Sequence, residues 1–157
     1  MRIISGRFRG RVIRLPGGVP VRPTTDRARE ALFNILHARL DWPDTRVLDA
    51  FAGSGAVGLE ALSRGAAHVT FWEHHPRVVR HLTATLAELG CSPAEARVAQ
   101  VNSLVQAATP RPADHPAFDW VFLDPPYAIG GKAQLLGSLR ANGWLAPGAE
   151  VVLEHLA

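Results

Sequence analysis

Residues 47–60, VLDAFAGSGAVGLE, carry the strongest structural signal of the chain. The apolar start is typical of a buried strand, and the end is typical of a helix. Between the two, Gly53, Gly55 and Gly58 have the spacing G-x-G-x-x-G. Glycine is needed where a turn is tight and where the backbone must approach a ligand closely. The stretch therefore predicts a strand, a ligand-binding loop and a helix in succession.

Strand and helix signals alternate on both sides of this unit. The predicted strands cover 46–51, 68–73, 96–101, 118–124 and 150–155, and the predicted helices cover 26–42, 56–65, 76–89, a short segment after 101, and about 132–140. Strands that are separated by single helices form a parallel sheet with right-handed crossovers. The body of the chain, residues 26–157, is therefore predicted to be a Rossmann-like α/β domain with a mainly parallel sheet flanked by helices.

Charge is distributed unevenly along the chain. The 157 residues carry a formal net charge of +3, from 17 Lys and Arg against 14 Asp and Glu. Residues 1–25, called the arm below, hold six arginines and no acid, which gives +6 there and −3 for the rest. A patch of one sign attracts polyanions, so the arm, a small β-hairpin or irregular segment, is predicted to contact nucleic acid. The alternative is a solvated arm that only keeps the chain soluble.

Composition excludes several classes of protein. Apolar residues at 47% and charged residues at 20% argue against wholesale disorder, and no apolar run reaches the roughly 18 residues of a membrane span. The N-terminus has arginines where a signal peptide needs an apolar stretch. The chain has a single cysteine, Cys91, which can form neither an internal disulfide nor a Cys-rich zinc site. His74 and His75 are adjacent, without further ligands at metal spacing. We expect a cytoplasmic protein without a metal or a membrane partner, and favour a monomer.

Carboxylates near the glycine loop indicate which cofactor it binds. Glu73 ends the second predicted strand, 18 residues after the second glycine, where it can accept hydrogen bonds from ribose hydroxyls. Asp49, four residues before the first glycine, would repel a pyrophosphate and attract the ammonium and sulfonium of S-adenosylmethionine. Charge therefore favours S-adenosylmethionine over NAD, although Asp49 as a structural cap of the turn is an alternative. Asn102 and Ser103, after the third strand, either read the adenine edge or form a turn.

The segment Asp124-Pro125-Pro126-Tyr127 follows the fourth predicted strand. Ligands of open α/β sheets bind at the carboxyl ends of the strands. The Asp124 carboxylate and the Pro125 carbonyl can accept hydrogen bonds from an exocyclic amine and hold its lone pair toward a methyl donor. Tyr127 can stack on an extruded base. The segment therefore predicts methyl transfer to an exocyclic amine, and the alternative is a rigid turn with a buried tyrosine.

Together, DAFAGSG, the acidic end of the second strand, and DPPY resemble class I S-adenosylmethionine-dependent amino methyltransferases. The stretches RIISGRFRGRVIRLP, RPTTDRAREALFNIL and GLEALSRGA narrow this resemblance to the RsmD family of bacterial small-subunit rRNA guanine-N2 methyltransferases, from Arg2 to about His155.

The resemblance implies a role for each motif. It implies transfer of a methyl group from S-adenosylmethionine to guanine N2 of 16S rRNA, free or in the 30S subunit. The implied cofactor site comprises Asp49, Phe51, Ala52, Gly53, Ser54, Gly55, Glu73, His74, Asn102, Ser103 and Asp124. The implied catalytic residues that hold the guanine are Asp124, Pro125, Pro126 and Tyr127. The residues implied to face rRNA and cover the pocket are Arg2, Arg7, Arg9, Arg11, Thr25, Arg27 and Arg29.

Three other functions fit parts of the sequence. A DNA adenine-N6 methyltransferase would use the same DPPY chemistry, but the arm and the segment after it favour the rRNA enzyme. An NAD-dependent oxidoreductase would use the same glycines, but Asp49 disfavours it. Members of this fold usually continue with two more strands, one antiparallel, and the chain ends at Ala157. We therefore expect those strands to be missing here, which leaves a non-catalytic RNA-binding relative as the third alternative.

Overall fold

The computed structural model describes residues 1–19, 24–126 and 131–154. The helices are α1 (Asp26–His37), α2 (Ala56–Ser63), α3 (Pro76–Glu88), α4 (Ser103–Ala107) and α5 (Lys132–Ala141), with a 3-10 turn at Trp42–Asp44. The strands are β1 (Arg46–Asp49), β2 (His68–Glu73), β3 (Ala96–Gln100), β4 (Phe118–Leu123) and β5 (Leu145–Leu153). None of the helices within these ranges is both long enough and apolar enough to cross a membrane.

The five strands form one parallel sheet in the order β3-β2-β1-β4-β5. This arrangement confirms the predicted Rossmann-like α/β class. The order reverses at β1, which has β2 on one side and β4 on the other. Asp49, the last residue of β1, is in register with Phe71 of β2 and Phe122 of β4. A crevice at the carboxyl ends of the strands is expected at such a reversal point.

Each face of the sheet has its own hydrophobic core. Helices α1, α2 and α3 cover one face, where Phe33, Trp42 and Trp120 pack with ring centroids 5.7 to 6.0 Å apart. Helices α4 and α5 cover the other face, where Trp72 and Trp144 meet edge to face at 5.1 Å. The four tryptophans are therefore divided equally between the two faces.

Strand β5 begins earlier than the sequence predicts. The predicted strand starts at 150, after Pro147 and Gly148, which are residue types typical of turns. In the structure β5 already pairs with β4 at Leu145, and the register shifts before Glu150, which pairs with Trp120. The exposed irregularity at Pro147 and Gly148 accommodates the turn residues without ending the strand.

The arm folds back on itself and packs against the sheet's helical layer. Its only regular pairing within the described residues is one antiparallel bridge between Arg2 and Val12. Ile3, Phe8 and Ile13 alternate with the arginines and are buried in the same core as α1 and α2. The apolar side chains therefore anchor the arm, while the five arginines of its first 14 residues are left at the surface.

Polar contacts fix the arm on α2. The buried carboxylate of Glu60 accepts the Ile4 N–H at 2.9 and 3.1 Å. The Ser63 hydroxyl accepts the Phe8 N–H at 2.9 Å and donates to the Ser5 carbonyl at 2.6 Å. Because Glu60 and Ser63 are buried, loss of the contacts would leave unpaired polar groups.

Gly6 lies where the arm backbone touches α2, and we expect Gly6→Ala to detach the arm. Gly6 has φ +88°, and an added Cβ would lie 2.0 Å from the Ser63 carbonyl oxygen. The positive φ should cost an alanine about 1 kcal/mol of backbone strain, and the clash of its Cβ with Ser63 about 1–3 kcal/mol. The free energy of unfolding, measured by urea denaturation, should therefore fall by roughly 2–4 kcal/mol.

Gly10→Ala is the matched control for this prediction. Gly10 has a similar φ of +82°, but an added Cβ would meet nothing within 4 Å. We expect only the conformational cost of about 1 kcal/mol there. Equal losses of stability in the two variants would show that the arm does not pack on α2 as described.

Candidate functional site

A cavity of about 410 Å³ opens at the carboxyl ends of β1, β2 and β4. Most residues of the predicted site line it: Asp49, Phe51, Ala52, Gly53, Ser54, Glu73, His74, Ser103, Asp124, Pro125 and Pro126. The glycine loop and the DPP segment, which are about 70 residues apart in the chain, thus meet around one space. Tyr127 lies outside the described residues.

Glu73 holds the glycine loop in place. Its Oε2 accepts the Gly53 N–H at 2.8 Å, and its Oε1 accepts the N–H groups of His74 and His75 at 3.0 Å each. The His74 ring nitrogen Nδ1 also lies 3.3 Å from Oε1. Because each carboxylate oxygen has two acceptor positions, Oε2 keeps one for a ligand hydroxyl. The side chain that was predicted to bind ribose therefore also shapes the loop.

Gly55 and Gly58, the second and third glycines of the loop, allow neighbouring elements to pack closely and do not line the cavity. Gly55 precedes α2 and does not line the cavity; an added Cβ there would lie 2.5 Å from Leu82 Cδ1. An added Cβ at Gly58 would lie 2.3 Å from Phe71 Cε1. Gly55 lets α2 approach α3 and β2 closely, and its contact with the cofactor stays a prediction.

Asp49 caps the turn, which is one of the two roles considered from the sequence, and it also lines the cavity. Its Oδ2 accepts the Gly58 N–H at 3.0 Å, which caps the turn, and the same buried carboxylate lines the cavity. Burial raises the pKa of Asp49 to about 7, against the hydrogen bond from Gly58 and with help from the charges of Asp124 and Glu73. The cavity wall thus carries the carboxyl groups of Asp49, Glu73 and Asp124. Such an acidic lining favours a cationic ligand.

Asn102 forms the turn rather than the cavity wall. Its Oδ1 accepts the N–H groups of Leu104 and Val105 at 3.0 and 3.2 Å and so caps α4. The side chain is exposed, and the cavity lining includes its neighbour Ser103, whose hydroxyl donates to the Ala50 carbonyl. The cap uses only the Oδ1 atom of Asn102, and the contact of this side chain with the adenine edge stays a prediction.

The DPP segment leaves β4 at the edge of the cavity. Pro125 is buried, Asp124 is half-buried, and Pro126 is exposed. All three line the cavity together with the end of the glycine loop. The arrangement places a carboxylate and a proline-fixed backbone in the cavity wall.

Eight further residues line the cavity outside the predicted set: Val19, Thr24, Ala56, Val57, Trp72, His75, Val78 and Phe122. Most are apolar, and they provide the wall that an adenine-sized ring needs. Val19 and Thr24 belong to the arm and flank residues 20–23, so the arm reaches the cavity. No local sequence pattern distinguishes such wall residues from ordinary core residues.

The arginines of the arm differ in their surroundings. Arg9 and Arg11 are exposed, as is Arg27 on the first turn of α1. Arg7 is 2.6 Å from the Glu95 carboxylate, and the Arg2 guanidinium donates to the Gly10 carbonyl at 3.3 Å. Arg9, Arg11 and Arg27 are therefore the arginines of the predicted set with the most open side chains.

Arg29 and Thr25 hold structure together. Arg29 was predicted to face rRNA, but its side chain is completely buried; it donates to the Arg2 carbonyl and, at 3.0 Å, to Asp26. Thr25 caps α1 by accepting the Ala28 N–H at 3.1 Å. The prediction for Arg29 is corrected, since the helix turns this arginine inward and its neighbour Arg27 outward.

No group of three or more His, Cys, Asp or Glu side chains within residues 1–19, 24–126 and 131–154 is arranged to hold a metal ion. The titratable groups of the cavity are carboxylates and the imidazoles of His74 and His75. The site as described is thus built for hydrogen bonding and charge complementarity.

The chain is similar in sequence and in structure to known proteins. The family model described as Conserved hypothetical protein 95 matches residues 1–157. Ribosomal RNA small subunit methyltransferase D of Haemophilus influenzae is 41% identical over 154 residues, which are 98% of this chain and 78% of that protein. The Escherichia coli protein of the same name is 43% identical over 157 residues, with 98% and 74% covered. The solved structure of the Escherichia coli protein yhhF superposes with a TM-score of 0.79 at 43% identity, covering 93% of this chain and 75% of that one.

Proposed function

The chain belongs to the family of the ribosomal RNA small subunit methyltransferase D proteins, a family of rRNA methyltransferases, and we propose that it transfers a methyl group from S-adenosylmethionine to the exocyclic N2 of a guanine in 16S rRNA. The observation that carries this proposal is the joint lining of one cavity by the glycine loop and the DPP segment. A methyl donor and a target amine need such a common space for in-line transfer.

The cavity fits S-adenosylmethionine in charge and in wall chemistry. Asp49 would attract the ammonium and sulfonium groups, and the remaining acceptor position of Glu73 Oε2 would take a ribose hydroxyl. Val57, Val78 and Phe122 offer an apolar wall for the adenine. A dinucleotide such as NAD fits less well, because three carboxylates would repel its pyrophosphate.

S-adenosylmethionine, when bound, supplies an electrophilic methyl group on a sulfonium. The residues of this chain orient the amine that receives it. The Asp124 carboxylate and the Pro125 carbonyl accept the hydrogens of the guanine N2, which directs the nitrogen lone pair into the cavity. One of those two protons leaves after transfer, to Asp124 or to water. Tyr127 is proposed to stack on the flipped base.

The arm is proposed to bring the rRNA to this cavity. Arg9 and Arg11 are exposed and positively charged, and the arm continues to Val19 and Thr24 in the cavity wall. Phosphates that contact the arginines would thus lie near the entrance to the site. The substrate is free 16S rRNA or the 30S subunit, so the reaction is expected in the cytoplasm.

Binding of S-adenosylmethionine should tighten as the pH rises from about 5.5 to 7.5. Burial raises the pKa of Asp49 to about 7, so below that pH the carboxyl is mostly protonated and must lose a proton before it attracts the cation. Because binding of S-adenosylmethionine is linked to the loss of one proton from Asp49, the affinity should rise by up to about tenfold per pH unit below the pKa. Above the pKa the affinity should level off. Isothermal titration calorimetry across this range measures the slope.

Asp49→Asn is the control for this pH dependence. The amide keeps an oxygen for the Gly58 N–H but has no charge to lose, so its affinity should be weaker and nearly constant with pH. A slope that persists unchanged in the variant would assign the titration to another group of the cavity.

The proposed cofactor is tested by calorimetry with S-adenosylmethionine and, separately, with NADH. We expect heat of binding with the first ligand and none with the second. Transfer of a radiolabelled methyl group to 30S subunits from cells that lack the enzyme then tests the reaction. Binding of NADH alone would favour an oxidoreductase, and cofactor binding without transfer would favour a non-catalytic relative.

A further inference from the structure

A second cavity of about 570 Å³ lies on the face of the sheet that α4 and α5 cover. Its wall includes the starts of β1, β2 and β3 and the loop that precedes β4. The cofactor cavity opens at the opposite, carboxyl end of β1 and β2. The two cavities share one lining residue, Trp72, and no other residue of the described ranges lines both.

Sheet geometry gathers basic side chains in the second cavity. Arg46 of β1 is in register with His68 of β2, and Thr70 of β2 is in register with Arg97 of β3. Side chains two residues apart on a strand share a face, so these four point to the same side of the sheet. His115, from the loop before β4, also lines the cavity.

The wall of this cavity has unused hydrogen-bonding capacity. Thr70 is 2% exposed, and its Oγ1 has no hydrogen-bond partner among the described residues. The Arg46 Nε is also buried without a partner there. Buried polar groups are normally satisfied, and two of the six unpaired buried side-chain atoms among the described residues belong to the lining of this cavity.

Charge in the second cavity is positive on balance. Arg46 and Arg97 contribute two guanidinium groups, and Asp114 is the acid of the lining. Burial lowers the pKa of the His68 imidazole, and the charges of Arg46, His115 and Arg97 lower it further, against a hydrogen bond to the Ala94 carbonyl. The positive charges around His68 therefore lower the pKa of its imidazole. A further negative charge lies close to Arg46, because the Asp119 carboxylate accepts the Arg46 backbone N–H at 2.8 Å.

We infer that the second cavity binds a phosphate group, held between Arg46 and Arg97. Guanidinium groups are suited to phosphate because they present several donors in a fixed plane. The phosphate belongs either to a free nucleotide or to the backbone of an RNA strand. This inference concerns the second cavity alone and does not depend on the proposed methyl transfer.

The tryptophans provide a test with an internal control. Trp72 and Trp144 line the second cavity, whereas Trp42 and Trp120 lie in the core on the other face of the sheet. The four indole N–H signals can be observed in a proton–nitrogen NMR spectrum and assigned by single Trp→Phe variants. The intact protein is titrated with inorganic phosphate, then with guanosine monophosphate, and then with a short single-stranded RNA, all without S-adenosylmethionine.

Trp144 lines the second cavity only, whereas Trp72 lines both cavities. We therefore expect the signal of Trp144 to shift with phosphate, while those of Trp42 and Trp120 stay in place. If guanosine monophosphate and the RNA have similar dissociation constants, the phosphate belongs to a free nucleotide. RNA that binds about tenfold more tightly or better would identify the nucleic-acid backbone instead. A Trp144 signal that does not shift with any of the three probes would overturn the inference.

Loss of the two arginines should remove this binding. Arg46→Gln combined with Arg97→Gln should raise the dissociation constant about tenfold or more, because charged hydrogen bonds to the phosphate are lost. Arg140→Gln, which removes an exposed charge from α5, should leave the constant within about twofold. Arg97→Gln alone, at the edge strand, gives the same test if the double variant does not fold. Unchanged binding in these cavity variants would also overturn the inference.

Discussion

Asp124→Ala should lower the rate of methyl transfer to the small subunit by about a hundredfold or more, while the dissociation constant of S-adenosylmethionine stays within about threefold. Asp124 lines the cavity at the end of β4, where its carboxylate is proposed to accept a hydrogen of the target amine. Without it the lone pair loses its direction toward the methyl donor. Single-turnover rates, with calorimetry for the cofactor, separate the two effects.

The design of this measurement has to allow for Asp49. The charge of Asp124 contributes to the raised pKa of Asp49, so its removal also makes Asp49 easier to ionise. At about pH 8 Asp49 is ionised in both proteins, and cofactor affinities can be compared directly. Asp124→Asn, which keeps one acceptor oxygen, should retain more activity than Asp124→Ala, and Asp44→Ala at an exposed turn should be unaffected. Wild-type turnover in Asp124→Ala would refute the role proposed for this carboxylate.

Replacement of Arg9 and Arg11 by Gln should weaken rRNA binding by roughly 10- to 100-fold at moderate salt. Both arginines are exposed on an arm that reaches the cavity wall. Each lost phosphate contact lowers the slope of log affinity against log salt by about 0.7 to 0.9, so the slope should fall by about 1.5. Filter binding or fluorescence anisotropy over a range of salt concentrations measures both quantities.

Arg39 and Arg140 offer a control of equal charge. Both are exposed and lie outside the arm, so their joint replacement by Gln changes the net charge equally. We expect rRNA affinity within about threefold of the wild type and an unchanged salt slope. If the two double variants lose affinity to the same extent, net charge rather than the arm governs binding. Cofactor affinity should be the same in both.

The fold and the centre of the site could be predicted because their signals are local in the sequence. The spacing of Gly53, Gly55 and Gly58 between a strand and a helix requires a tight turn, and Asp49 and Glu73 end neighbouring parallel strands. Carboxyl ends of parallel strands meet at one edge, so these carboxylates had to converge. The structure confirms the α/β class and brings both carboxylates to one cavity.

Predictions that depended on side-chain direction or on distant packing were less accurate. Arg29 and Arg27 are two residues apart on α1, and only the helix's orientation on the core decides which one is buried. For Asn102 the sequence offered a turn or an adenine contact; the structure shows the local role, a helix cap, and the adenine contact stays a prediction. Val19 lies in the cavity wall next to a stretch of the arm that α3 holds, where Arg77 donates to the Gly17 carbonyl at 2.9 Å, and no local pattern encodes this contact.

The most direct test of the proposed reaction is the identity of the methylated nucleoside. The protein is incubated with S-adenosylmethionine and 30S subunits from cells that lack the enzyme, and the 16S rRNA is digested and analysed by mass spectrometry. We predict N2-methylguanosine in the wild-type reaction and its loss with Asp124→Ala. A methyl group on any other position, such as adenine N6, or no transfer to rRNA by the folded, cofactor-bound protein, would contradict the account.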